Sequence, residues 1–180
     1  MTETISNETR FLHAIEMGLG AWQFGDRVFW SFGQTHSEAD IHAAFQTSLN
    51  EGVRFIDTAE VYGMGQSERF LGEMLKAAEQ PALIATKFFP YPWRVHRWFM
   101  KNALQNSLER LGLERVDLYQ IHWPSPLLPV ETLMDWMAGL VKDGLVRTVG
   151  VSNFNPNQTV RAYTSLARKG IPLAANQVEY

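Results

Sequence analysis

FIDTAEVYGMGQSERFLGEML, residues 55–75, carries the unit from which the rest of the chain is built. An apolar run ends on an acid, Asp57, and a tyrosine, Tyr62, follows five residues later. From Ser67 onward, Phe70, Leu71, Met74, Leu75 and Ala78 recur at the spacing of one helix face. A short apolar strand that runs through a polar loop into an amphipathic helix is a βα unit. Ser67 is the expected helix cap and Pro81 the expected stop.

The same alternation extends in both directions. Upstream, SEADIHAAFQTSLNEG (37–52) pairs Ser37 with Asp40 as a capping box and places Ile41, Ala44, Phe45, Ser48 and Leu49 on one face. Gly52 suits the left-handed residue that closes such a helix. A strand near MGLGAW precedes it. Downstream come a strand at ALIATKF, a helix over Arg97–Leu111 closed by Gly112, and a strand at RVDLYQIHW. A helix over Glu131–Lys142, closed by Gly144, leads to VRTVGVS. Asn155-Pro156 then opens a helix as cap and first residue, and LAANQVEY closes the chain. After the first, strands begin near residues 53, 82, 115, 145 and 173, a repeat of roughly 30 residues. Near-continuous apolar strands alternating with helices imply the α/β class, with a parallel sheet covered by helices. Pattern alone leaves two closures open: a doubly wound sheet, or the first six strands of an eight-stranded barrel, which typically takes about 250 residues.

Bulk properties narrow the function classes. With 180 residues, 46% apolar and 19% charged, the chain has ample core material for one domain over residues 1–180, with a flexible segment expected over 1–14. The net charge is -3 and basic residues are scattered, which argues against nucleic acid or an anionic membrane as partner. Without cysteine there is no disulfide or thiolate metal site, and the histidines lack zinc-ligand spacing, so no metal is expected. The start, MTETISNETR, is not a secretory signal, and no apolar run approaches the roughly 18 residues of a membrane span. A cytoplasmic location is the expectation.

Polar residues gather at the strand ends: Asp57, Lys87, His122, the pair Ser152-Asn153, and Gln177. Singly, each has a plain reading as a turn former, an exposed lysine, a core histidine or a backbone partner. Jointly they occupy the edge where parallel βα folds build their sites. A phenol with an ordinary pKa near 10 is a poor acid at neutral pH. An adjacent Lys87 ammonium is expected to lower that pKa by about 1 to 3. Asp57 would hold Lys87, and His122 would donate to the oxygen that the phenol protonates. Tyr62 then acts as general acid toward a developing alkoxide. Such an acid implies a hydride donor, and the amides and hydroxyl of Ser152, Asn153 and Gln177 suit the carboxamide of a nicotinamide. GMGQSERFLG lacks the glycine spacing of a dinucleotide fingerprint. Trp22, Phe24, Trp93 and Trp123 lie in loops where they either wall an apolar pocket or pack on helices.

The segments GLGAW, FIDTAEVYGMGQSE, LIATKF, LERLGLERVDLYQIHWP, GLVKDGLVRTVGVSNF and NQVEY, in that order from Gly18 to Tyr180, resemble the aldo-keto reductases. These are (β/α)8 TIM barrels that bind a nicotinamide cofactor without a Rossmann domain. The resemblance implies Asp57, Tyr62, Lys87 and His122 as a catalytic tetrad, and Ser152, Asn153 and Gln177 as ligands of the nicotinamide carboxamide. It implies reduction of a small aldehyde or ketone with NADPH, NADH remaining open. It also implies an incomplete barrel of about six βα units, because the family continues past NQVEY with two more strands and the segments that hold the rest of the cofactor. The first and sixth strands are then unpaired edges. The isolated chain is expected to be marginal, prone to associate, and of little or no activity. Two alternatives stand beside the reductase: an inactive truncated product, and a regulatory protein of the same fold resembling potassium-channel β subunits.

Overall fold

The computed structural model describes residue 12 and residues 14–179, so the flexible segment expected over 1–14 falls almost wholly outside the described residues. Strands and helices alternate: β1 (Gly18–Gly20), α1 (Glu38–Asn50), β2 (Phe55–Asp57), a short 3-10 turn (Tyr62–Gly65), α2 (Gln66–Ala77) and β3 (Leu83–Phe88). They continue as α3 (Arg97–Leu111), β4 (Val116–Ile121), α4 (Val130–Lys142), β5 (Val146–Ser152), α5 (Pro156–Ala167) and β6 (Leu173–Gln177).

All neighbouring strands are parallel and follow in chain order, β1-β2-β3-β4-β5-β6. This order settles the closure. A doubly wound sheet reverses direction at a switch point, where its strand order breaks. Here every crossover steps the same way, as in the wall of a barrel, and six of a barrel's eight strands are present. Among the described residues, neither β1 nor β6 pairs with a further strand at its outer edge.

Register sorts side chains to the two faces of the sheet. Ile56 lies beside Ile84, Thr86 beside Tyr119, and Tyr119 beside Val149. These alternate with Asp57, Ala85, Leu118 and Thr148, and with Lys87, Gln120 and Gly150. Ile84, Tyr119 and Val149 join Leu71, Met74, Leu104, Leu133, Met137 and Leu166 from the helices in one buried cluster. Lys87 is therefore on the face away from the helices, inside the curl of the sheet.

The helix ends follow the sequence at several places. Ser37 and Asp40 form the capping box of α1, and Asn155 and Gln158 form that of α5, with Pro156 in its first turn. Gly112 closes α3 in the left-handed conformation. Two expectations are corrected. The strand expected over VRFIDTA pairs only over Phe55–Asp57, because the chain leaves the sheet at Asp57 to enter the loop that carries Tyr62. Ser67 is not the cap of α2: Gly65 is, and Ser67 sits buried inside the first turn. Its hydroxyl donates to the Ala21 carbonyl (2.7 Å) and meets the Thr58 hydroxyl (2.7 Å), tying β1 and β2 to α2. No helix among the described residues is long and apolar enough to cross a membrane.

Candidate active site

Each strand from β2 to β6 delivers a polar group at its C-terminal end. Asp57, Ser152 and Gln177 are the last residues of β2, β5 and β6; Lys87 is the penultimate residue of β3; His122 and Asn153 follow β4 and β5 directly. Lys87 is 1% exposed. Its Nζ donates to Asp57 Oδ2 (2.6 Å) and to the Thr58 carbonyl (3.0 Å), and lies 3.5 Å from Tyr62 Oη. The Tyr62 ring meets the His122 ring edge-on at 5.6 Å and stacks on Trp22 at 5.7 Å. Separate stretches of chain thus meet at one tyrosine: Lys87 at its hydroxyl, His122 and Trp22 at its ring.

The other three expected residues complete the rim. Asn153 takes a left-handed backbone (φ 58), which its short polar side chain tolerates. Its Nδ2 donates to the His122 carbonyl (3.0 Å) and to Ser152 Oγ (3.1 Å). Ser152 Oγ and the Asn153 amide both donate to the Gln177 carbonyl, at 2.8 and 2.9 Å. Gln177 Nε2 donates to Asp57 Oδ2 (3.2 Å). The seven residues form one hydrogen-bonded and packed group around the mouth of the sheet. Beside it a cleft of 430 Å³ opens between β1 and β6, bordered by Gly18, Gly20, Phe55, Asp57 and Gln177.

Burial sets the protonation states. The Lys87 ammonium is pushed down by burial, opposed by the attraction of Asp57. His122 is lowered from 6.5 to about 4 by burial and then by the Lys87 charge, so its imidazole is neutral at pH 7. The Tyr62 phenol moves opposite to expectation. Burial, and then the Asp57 carboxylate, push it up, although the Lys87 Nζ lies 3.5 Å from its oxygen. The phenol therefore holds its proton firmly at neutral pH. Asp57 Oδ1 and His122 Nδ1 are buried without a hydrogen-bond partner, the only two such atoms on the rim among the described residues.

Three features escaped sequence reasoning. Asp26, 5% exposed, accepts from Trp22 Nε1 (3.1 Å) and from the Val28 and Phe29 amides (2.9 and 2.8 Å), which holds the indole on Tyr62. Glu60 and Arg94 join the loops after β2 and β3. Phe24 is buried in the core and is not a rim aromatic, whereas Trp93 stacks on Tyr91 at 4.7 Å with most of its surface exposed. Asp26 alone left a cue: an acid two and three residues ahead of the amides it accepts is a local turn pattern.

A family model described as the Aldo/keto reductase family matches residues 16–180. The chain belongs to this family. A chloroplastic pyridoxal reductase of Arabidopsis thaliana is 36% identical over 177 residues, covering 91% of this chain and 48% of that protein. The aldo-keto reductase YhdN of Bacillus subtilis is also 36% identical, over 86% of this chain and 49% of that protein. The chain spans about half the length of the curated relatives it matches. Among solved structures, the thermostable aldo-keto reductase Tm1743 bound to epalrestat superposes with a TM-score of 0.76 at 32% identity, covering 91% of this chain and 57% of that one. An aldo/keto reductase of Klebsiella pneumoniae, in complex with NADP and acetate, gives 0.73 at 30% identity, covering 91% and 53%.

Proposed function

We propose that this chain carries the carbonyl-reducing centre of an NADPH-dependent reductase, with Tyr62 as the general acid. The observation that carries the reading is the buried Lys87 Nζ, held 2.6 Å from Asp57 and 3.5 Å from Tyr62 Oη, with His122 packed on the same phenol.

The residues fit a nicotinamide. Ser152, Asn153 and Gln177 offer a hydroxyl and two amides on one rim, the donors and acceptors a carboxamide needs. The unpartnered Asp57 Oδ1 and His122 Nδ1 mark buried polar capacity beside them. These three residues would hold the carboxamide, and the bound cofactor supplies the hydride that the carbonyl carbon receives. Tyr62 supplies the proton from Oη to the carbonyl oxygen. His122, neutral, donates its ring N–H to that oxygen and orients it. Lys87 offsets the negative charge left on the phenolate, and Asp57 keeps the ammonium in place. A phenol pushed up by burial suits this order of events, because it is fully protonated before reaction and meets the ammonium most strongly once it becomes charged.

Aldo-keto reductase structures from Klebsiella pneumoniae hold NADP in one case and NADPH in another, which supports the cofactor. Relatives are named for pyridoxal, for methylglyoxal and for glycerol with NADP(+). This spread supports small aldehydes or ketones as the substrate class and singles out no member of it. In the full-length form with all eight strands, Tyr62→Phe is expected to lose carbonyl reduction by roughly 10²–10⁴-fold while NADPH binding, followed by its fluorescence, stays as in the parent. Unchanged reduction would remove Tyr62 as the acid.

A further inference from the structure

We infer that Glu60 and Arg94 form a positioning clamp that sets Tyr62 and His122 against Lys87. The value of that geometry rests on the reductase reading above; the clamp itself does not. Glu60 lies between Asp57 and Tyr62 in the loop after β2, and Arg94 lies in the loop after β3. The Glu60 amide donates to the Lys87 carbonyl (3.3 Å), and Glu60 Oε1 accepts from the Phe89 amide (2.7 Å). Arg94 pairs with both carboxylate oxygens, Nη2 reaching Oε2 at 3.2 Å, and its Nη1 donates to the Phe89 carbonyl (3.0 Å). Both backbone polar groups of Phe89 are therefore gripped by one ion pair.

Phe89 is the link to the chemistry. Its ring meets His122 edge-on at 5.7 Å, and His122 in turn meets Tyr62 at 5.6 Å. The path runs from the Tyr62 loop through Glu60 to Phe89, then to His122 and back to Tyr62. The Arg94 guanidinium is fixed over the Phe88 and Tyr91 rings, 5.0 and 5.1 Å from their centroids. With side chains 8% and 19% exposed, Glu60 and Arg94 form a bidentate pair largely shielded from water, where such pairs hold geometry best. Upstream, the loop is fastened by the Thr58 amide on Ala85 (2.9 Å) and by Lys87 on the Thr58 carbonyl. Glu60 is the side chain that fastens its Tyr62 end to β3. A misplacement of about 1 Å in a catalytic group costs about 10²-fold in rate, so the clamp acts on rate through Tyr62 and His122 without touching substrate.

The test is spectroscopic and needs no turnover. The ring protons of His122, assigned by their loss in His122→Gln, are followed by NMR in the chain at pH 7.5 and through a titration to acid pH, together with those of His36 and the far-ultraviolet circular dichroism. Glu60→Ala and Arg94→Met are expected to move the His122 signals, and to raise its midpoint from about 4 toward 6.5, with His36 and the helical signal unchanged. Glu60→Gln keeps an acceptor for the Phe89 amide and is expected to retain most of the wild-type His122 spectrum. If Glu60→Ala does not fold, Arg94→Met decides, since it leaves Glu60 on Phe89. Wild-type His122 signals in folded Arg94→Met, or Glu60→Gln displaced as far as Glu60→Ala, would overturn the clamp. A Tyr62→Phe chain that still reduces carbonyls would sink the reaction reading and leave this result standing.

Discussion

Lys87 is a cation with almost no exposed surface, and one carboxylate compensates it. Removing that partner strands a buried charge. Asp57→Ala is expected to cost roughly 3–5 kcal/mol in denaturant unfolding, and the double variant Asp57→Ala with Lys87→Met to recover a large part of it. Equal losses in the single and double variants would show that the pair is not coupled. His122 adds a pH dependence. Its folded pKa, about 4, lies below the ordinary 6.5, so above 6.5 neither the folded nor the unfolded state binds this proton. As pH falls from 6.5 toward 4, the unfolded chain takes up the proton first and the folded state loses stability, by roughly 3 kcal/mol in all. His122→Gln is expected to flatten the unfolding free energy over that window relative to wild type, and parallel curves would contradict it. The identities of all seven rim residues were legible in the sequence, since acid, lysine, histidine and amides at successive strand ends form a pattern. The direction in which the Tyr62 phenol shifts was not legible. It depends on how much water the fold removes from the ring and how near Asp57 stands, and neither is written in residue spacing.

At the scale of elements, α2 and α3 approach so closely that glycine is required between them. A Cβ on Gly72 would lie 2.3 Å from the Arg110 carbonyl oxygen, and backbone cannot swing aside as a side-chain tip can. The same contact region holds fully buried Glu68, which accepts from Thr86 Oγ1 (2.6 Å) and Arg110 Nε (2.7 Å). Gly72→Ala is expected to part the two helices and to lower stability by about 1–3 kcal/mol, read from the urea midpoint. A midpoint at or above wild type would show that the helices separate at no cost. Helices announced themselves through apolar periodicity and through Ser37, Gly112 and Asn155 at their ends. The start of α2 did not, because the turn before it places both Gly63 and Met64 in the left-handed region, and a left-handed methionine has no sequence signature. Ser67 looked like a cap for the same reason: its hydroxyl is spent on a distant carbonyl, a tertiary use that local pattern cannot show.

For the molecule as a whole, the alternation of strands and helices was legible from the roughly 30-residue repeat, while their order in the sheet, and with it the choice between barrel wall and open sheet, needed either the resemblance or the observed topology. Among the described residues both outer strands lack a partner at their outer edge, and their side chains are half-buried or exposed, unlike most of those of β3, β4 and β5. Unprotected parallel edges recruit other chains. The 180-residue chain is expected to self-associate with rising concentration in sedimentation velocity and to bind NADPH more weakly than micromolar. A sharp monomer with micromolar binding would contradict both. One bond makes these two behaviours inseparable. Gln177, the last residue of the sixth strand, reaches across the open side to the carboxylate that steadies Lys87. Fraying of that border strand withdraws the amide from Asp57, so on the proposed reading it would loosen the support of Lys87 while the helices behind it are still folded. On that reading the rim gives way as a local event at the margin of the sheet, ahead of global melting.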